Sequence, residues 1–215
     1  MRTYNVVRKN EYQGHPLLSL RFYPDGFHGE ILKSILDHLR YAVSQSSQVF
    51  IVRLDIRFPV YYNSVLPANA IFIGFLANFI KHLKRHGCNP HYVWRVEPGE
   101  INPHGHYHLA LFLDGNRVQD GWSIKYKAEE FWASALGIQV EDVKKDSRLV
   151  HLCQPNSPDS HFHTGFKLQK YYPDFDQKLY DAYCWLSYIT KVGPAEYEMP
   201  GNRAFGCSQL PVMFP

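Results

Sequence analysis

Apolar positions in this chain follow two periods, and the stretches with each period alternate irregularly. The clearest period of two is Phe50–Phe58, FIVRLDIRF. Phe50, Val52, Leu54, Ile56 and Phe58 fall on one face, and Arg53, Asp55 and Arg57 on the other. That is the pattern of a strand with one face turned to a core. A second pair of alternating runs flanks a Pro/Gly turn in Tyr92–Gly115, YVWRVEPGEINPHGHYHLALFLDG. In the first run Arg95 and Glu97 share a face against Tyr92, Trp94 and Val96. In the second, His106, His108, Ala110 and Phe112 oppose Tyr107, Leu109, Leu111 and Leu113. The two runs predict a hairpin across Pro98–Gly105 that brings Glu97 opposite or near His106. Weaker strands are expected at Leu17–Phe22, Arg148–Cys153 and Phe162–Leu168.

The helical period appears in four places. Leu32, Ile35, Leu36, Leu39 and Val43 predict a helix over His28–Ser44. Phe72, Phe75, Leu76, Phe79, Ile80 and Leu83 predict one from Ala68 to His86, stopped by Gly87. A third is expected over Lys125–Leu136, with Phe131 and Trp132 inward. The last runs from about Asp174 to Lys191. Strands and helices mix without strict alternation, so the predicted class is α+β, a mainly antiparallel central sheet flanked by helices. A single domain over 1–215 is expected, with a short N-terminal arm (1–14) and an irregular C-terminal tail (192–215).

Composition adds a few bounds. At 215 residues, 45% hydrophobic and 20% charged, the chain has the make-up of a folded protein rather than a disordered one. A formal charge of +3 neither requires nor opposes nucleic-acid binding. Fourteen Phe and fifteen Tyr supply rings on which unpaired bases stack, although most such rings serve a core. Cys88, Cys153, Cys184 and Cys207 show no Cys-x-x-Cys spacing, which fits a reduced compartment and no zinc knuckle. The polar opening MRTYNVVRKNEY reads as no signal peptide, and no apolar run approaches transmembrane length. The expected location is cytoplasmic, with no membrane partner.

Chemistry concentrates in the hairpin. His106 and His108 project from one face of a rigid pleat, with Glu97 at hairpin distance. Two imidazoles and a carboxylate with open coordination positions have the form of a catalytic metal site. Glu100 and Asp55 are alternates for the third ligand. In the last helix Tyr188 and Lys191, three apart, share a face away from the stripe of Leu179, Tyr183 and Leu186. Such a pair can supply a nucleophile and a phosphate-stabilising cation. A phenol, with its pKa of about 10, needs that help.

Taken in order, His106-Tyr-His108 running into Leu-Ala-Leu-Phe and the later Tyr188-Ile-Thr-Lys191 resemble the HUH endonucleases, the superfamily of rolling-circle replication initiators. VRLDIRFP (52–59), VWRVEPGE, LSYITK (186–191) and NRAFGCS (202–208) are similar to the inovirus Gp2 family of phage and prophage proteins. The likeness runs from Val49 to Ser208. It implies a Rep-like, RRM-related fold and a metal-dependent, single-stranded DNA nicking and joining enzyme. Mg²⁺ or Mn²⁺ would sit on His106, His108 and a carboxylate. Tyr188 would form a 5′-phosphotyrosyl intermediate with Lys191 near the phosphate. The substrate would be single-stranded DNA or an origin hairpin, in a bacterial host whose helicase and polymerase are candidate partners. Two departures are His104, which extends the motif to His-x-His-x-His, and a single Tyr-x-x-Lys where some initiators use a tyrosine pair.

Three other readings bear on parts of the pattern. His104-Gly-His106-Tyr-His108 resembles the histidine triad of nucleotide hydrolases, but Gly105 takes a place that is normally hydrophobic there. A cupin-like site would need a glutamate where Leu111, Phe112 and Leu113 stand. A non-catalytic single-strand-binding protein would use the same cations and aromatics. Arg53, Arg57, Lys84, Arg85 and Arg203 are the expected phosphate contacts. The cluster Lys81–His86 reads either as a helix end suited to its dipole or as a phosphate patch. His161 and His163 are expected to be loop-edge or DNA-contacting histidines.

Overall fold

The computed structural model describes residues 5–60, 62–63, 66–97, 105–146, 148–155, 164–193 and 204–211. In chain order the strands are β1 Val6–Val7, β2 Glu11–Tyr12, β3 His15–Pro16, β4 Phe27–His28, β5 Gln48–Arg57, β6 His91–Glu97, β7 His106–Asp114, β8 Val150–Cys153, β9 Phe166–Gln169 and β10 Phe205–Cys207. The helices are α1 Gly29–Gln45, α2 Ala68–Arg85, α3 Gly121–Leu136, α4 Val140–Lys145 and α5 Phe175–Leu186, the last followed by a 3-10 turn, Ser187–Thr190. No helix among the described residues is long and apolar enough to cross a membrane.

The main sheet is six-stranded and antiparallel in the order β10-β6-β7-β5-β8, with β9 also pairing β5 beyond β8. It is buried on both faces. Phe50, Val52, Leu54, Ile56 and Phe58, with Tyr107, Leu109, Leu111 and Leu113, pack under α2, α3 and α4. Val49, Ile51, Val93, Ala110 and Phe112 pack under α1 and α5. Two-sided burial makes the middle of β7 a continuous apolar run, as expected of a strand covered on both sides. The expected class, an α+β fold with an antiparallel sheet between helices, is therefore the observed one.

Three local expectations differ, and one short helix had no expectation. Leu17–Phe22 is not a strand: Leu17 N–H bonds Asn10 O at 2.9 Å and Phe22 N–H bonds Ser19 O at 3.0 Å, so the segment turns instead of extending. The tail is not wholly irregular, because Phe205–Cys207 pairs with Val93–Arg95 as an edge strand. Val140–Lys145 forms a short helix whose one buried residue, Val143, gives no period to read. The last helix does not reach Lys191. After Leu186 the backbone tightens to 3-10, with Ser187 Oγ–H on Cys184 O at 2.6 Å and Thr190 Oγ–H on Ser187 O at 2.8 Å. Hydroxyls that bond back to the preceding turn compete with α-helical pairing and end the helix there.

Candidate metal centre and tyrosine

The antiparallel register assembles the polar end of one sheet face. β5 pairs Asp55 with His108 and Arg57 with His106, while β6 pairs Arg95 with His108 and Glu97 with His106. Two rows of three result, Asp55–His108–Arg95 and Arg57–His106–Glu97. Residues directly opposite in such a ladder lie on the same face. Toward the middle of the sheet that face turns apolar at Ala110 and Phe112.

His108 is fully buried, and its two ring nitrogens have different neighbours. Nδ1 lies 2.6 Å from Asp55 Oδ1. The carboxylate can only accept, so Nδ1 carries a proton, and in the neutral ring the lone pair is then on Nε2. Nε2 makes no hydrogen bond and lies 3.1 Å from Glu97 Oε2. The same Glu97 oxygen is 3.6 Å from His106 Nε2 and 3.3 Å from Lys191 Nζ. Glu97 Oε1 is buried without a hydrogen bond, 3.7 Å from Arg95. The two imidazole rings stand edge to face, with centroids 4.4 Å apart.

Electrostatics favours positive charge at this spot. Burial alone would raise Glu97, but the His108 contact and the charges of Lys191 and Arg95 outweigh it and hold the carboxyl down to about 2. Asp55 is likewise held well below the usual carboxylate range, because the hydrogen bond from His108 and the charges of His108 and Arg53 outweigh burial. His106 falls to about 4, from burial and then from the charge of His108. Burial pulls His108 down too, yet the two carboxylates together keep it above its ordinary value.

Asp55, His106 and His108 each offer a ligand atom within 4.8 Å of the others, a candidate metal-holding triad. Glu97 sits on the Nε2 side of both rings, whereas Asp55 faces Nδ1 of His108 at a distance that admits no ion between them. The donor chemistry fits a divalent cation. Two ionised carboxylates surround two imidazoles, and a buried Nε2 and a buried carboxylate oxygen lack hydrogen-bond partners.

Tyr188 lies beside this centre. Its ring meets His108 edge to face at 5.5 Å, and Lys191 Nζ donates to its hydroxyl at 2.9 Å. Three residues per turn in the 3-10 segment bring Tyr188 and Lys191 into line, which an α-helix would do less closely. Arg53 Nη1 donates to Trp185 O at 3.1 Å, and its guanidinium lies 4.6 Å from the Tyr188 centroid. The hydrogen bond to Tyr188 and the charge of Glu97 hold Lys191 above its ordinary value against burial.

Arg95 had no sequence signal beyond sharing a face with Glu97. Its Nη1 donates to Ile189 O at 3.0 Å and to Lys191 O, tying the tyrosine segment to β6. Phe27 forms a bridge with Lys191, and Val192 N–H bonds Gly26 O at 2.8 Å, so β4 braces the same segment from the other side. Tyr183 is elsewhere: it is fully buried, donates to Leu32 O at 3.3 Å, and has its phenol pushed above the ordinary range by burial.

Of the expected phosphate contacts, Arg53 lies at the tyrosine and Arg57 is exposed at the end of β5 next to His106 in register. Lys84 and Arg85 sit on α2, across the sheet from the histidines. Arg203, Glu100, His104, His161 and His163 lie outside the described residues.

The profile of the YagK/YfjJ C-terminal domain family matches residues 12–208. No curated protein matches the chain. Among solved structures, the N-terminal nuclease domain of non-structural protein 1 of minute virus of mice is similar over 66% of this chain and 79% of its own, with 10% identity and a TM-score of 0.36. That domain is described as coordinating Zn²⁺ in its active-site pocket and recognising DNA at an origin of replication. A likeness this loose places no residue. The finer similarity to inovirus Gp2 proteins stays one of motifs.

Proposed function

We propose that this chain, which belongs to the YagK/YfjJ C-terminal domain family, is a metal-dependent enzyme that nicks and rejoins single-stranded DNA in the manner of a rolling-circle initiator. The observation that carries the reading is a run of contacts from a tyrosine to a pair of histidines. Tyr188 Oη meets Lys191 Nζ at 2.9 Å, Lys191 Nζ meets Glu97 Oε2 at 3.3 Å, and that oxygen meets His108 Nε2 at 3.1 Å. A purely structural histidine pair has no need of a tyrosine with its own cation.

His106, His108 and Glu97 would hold the ion, Mg²⁺ or Mn²⁺, with Asp55 orienting His108 from behind. When bound, the ion supplies Lewis-acid stabilisation of charge on a phosphate oxygen. The remaining steps belong to the chain. Lys191 donates to Tyr188 Oη and lowers the energy of the phenolate as the phenolic proton passes to water. Oη then bonds to phosphorus, and the bond from phosphorus to the 3′ oxygen breaks. The leaving oxygen takes up a proton, giving a free 3′-hydroxyl and a 5′-phosphotyrosyl enzyme. Because the phosphodiester becomes another ester, the reverse attack rejoins the strand without ATP. Arg57, exposed beside His106, is suited to a flanking phosphate.

A non-catalytic single-strand-binding protein would use the same cations but has no use for a buried imidazole Nε2 aimed at a carboxylate. The deciding experiment incubates the chain with single-stranded oligonucleotides and Mn²⁺ and looks for a covalent protein–DNA adduct. Binding without an adduct on any sequence tested would leave the non-catalytic reading in its place.

A further inference from the structure

The basic run at the end of α2 has a setting that neither sequence reading describes. α2 is closed by its own backbone: Cys88 N–H bonds Leu83 O at 3.0 Å and Gly87 N–H bonds Lys84 O at 3.0 Å. Gly87, at φ +71°, takes the left-handed position of this Schellman motif. The cations of the last turn are therefore not needed as caps.

Lys81, His82 and Arg85 instead edge a groove of about 460 Å³ between α2 and α3, on the side of the sheet away from His106 and His108. Its other end is apolar, with Leu66, Ala70, Ile71 and Phe75, and α3 supplies Phe131, Ser134 and Ala135. No carboxylate lines it. Lys81 and Arg85 form no ion pair among the described residues. Gly74 opens the floor, since a Cβ there would meet nothing within 4 Å. From Ala70 to Arg85 the groove follows the helix for roughly 22 Å at about 1.5 Å per residue.

We infer that this groove docks an acidic amphipathic helix of a partner protein, independently of the nicking site. The partner's apolar face would cover Leu66, Ala70 and Gly74, and its carboxylates would meet Lys81 and Arg85. Both walls are helices with no free sheet edge between them, so side-chain packing rather than strand addition is the mode that fits. The charge grade sets the direction, because only one end attracts anions. Nucleic acid suits the groove less. A phosphate backbone favours cations along its whole track, and half of this lining is hydrocarbon. The Phe131 ring is also occupied, packed against His82 at 5.2 Å instead of standing open to a base.

The test uses the full chain and a fluorescein-labelled synthetic peptide with leucines on one helical face and glutamates flanking them. Fluorescence anisotropy should show binding, weakened about tenfold or more both by Gly74→Leu and by Lys81→Glu with Arg85→Glu. A counterpart peptide with lysine for each glutamate should not bind. Gly74→Leu fills the groove without harming the fold, because leucine is the better helix former, so its melting temperature should hold or rise. Absence of peptide binding overturns the inference, as does binding that Gly74→Leu leaves unchanged. A single-stranded oligonucleotide that displaces the peptide and loses affinity in the Lys81→Glu, Arg85→Glu variant would also overturn it, assigning the surface to nucleic acid.

Discussion

The guanidinium of Arg53 lies 4.6 Å from the centre of the Tyr188 ring, while the ammonium of Lys191 meets the hydroxyl of that same ring at 2.9 Å. Tyr188 thus has two cations, one against its ring and one at its oxygen. Arg53 reaches there from the central strand and holds Trp185 O at 3.1 Å on the way. It ties the end of α5 to the sheet at the level of the candidate metal ligands.

Arg53 is expected to act chiefly on the position of Tyr188. Arg53→Gln loses a cation–π contact of about 0.5–2 kcal/mol and a hydrogen bond of about 1 kcal/mol. Adduct formation should slow about tenfold or more at saturating DNA, with oligonucleotide affinity little altered. A change confined to affinity would make Arg53 a phosphate contact only.

Tyr188→Phe deletes the oxygen proposed to attack and keeps the ring. Single-stranded DNA binding should persist, with no covalent adduct and no free 3′-end. Tyr183→Phe should leave the adduct in place, because that phenol is buried against Leu32 O. It should cost about 1 kcal/mol of stability for the lost hydrogen bond. Mass spectrometry that found the nucleotide on Tyr183 or on a histidine would overturn the mechanism.

Glu97 and Asp55 should differ in kind. Glu97→Gln removes a charged donor on the Nε2 side of both histidines and should abolish measurable Mn²⁺ binding in calorimetry. Asp55→Asn removes the partner that orients His108 and should weaken Mn²⁺ about 10–100-fold. With Mn²⁺ at a hundred times its Kd, the wild type should gain about 2.7 kcal/mol in stability, reversed by a chelator. Should Asp55→Asn prove the more damaging to Mn²⁺ binding, Asp55 is the ligand and Glu97 is not.

Gly105 is at φ +68°, and a Cβ there would stand 2.5 Å from the Glu97 carbonyl oxygen. Gly105→Ala therefore meets both a left-handed backbone and a backbone clash at the entrance to β7. A loss of about 2 kcal/mol or more is expected in denaturant unfolding. Mn²⁺ affinity should fall with it, since Glu97 and His106 pair across that turn.

Acid should weaken the metal-free fold before the carboxylates protonate. Burial and the Arg95 charge take His28 down to about 4 from its ordinary 6.5. The unfolded chain binds that proton between about pH 6.5 and 4 and the folded chain does not, so stability falls as pH falls through this window. Allowing for solvent screening, the His28 share is on the order of 1–2 kcal/mol. His28→Gln should flatten the slope of melting temperature against pH between 7 and 4. An unchanged slope would assign the loss to other groups.

Much of this arrangement was legible before any tertiary contact. Alternation of apolar and polar residues is a local property of a strand, so Phe50–Phe58 and Tyr92–Leu113 declared their faces unaided. Two consecutive runs that pair antiparallel bring their adjoining ends together, and Glu97 pairs with His106 as expected. The helical stripes of α1 and α2 were legible for the same reason. Tertiary structure decided what depends on neighbours distant in sequence. Asp55 and Arg53 meet the site only because β5 lies beside β7, a pairing that no local turn dictates. Arg95 looked like one more charged residue until the tyrosine segment came to rest on its guanidinium. The same packing, with the hydroxyls of Ser187 and Thr190, converted the end of the last helix to 3-10 and brought Tyr188 into line with Lys191. Lys84 and Arg85, grouped by sequence with the other DNA-facing cations, lie across the sheet from the histidines, because the apolar stripe of α2 covers the sheet face opposite them. A helix can be read for which of its sides is apolar, but only the assembled sheet determines which of two apolar faces that side will cover.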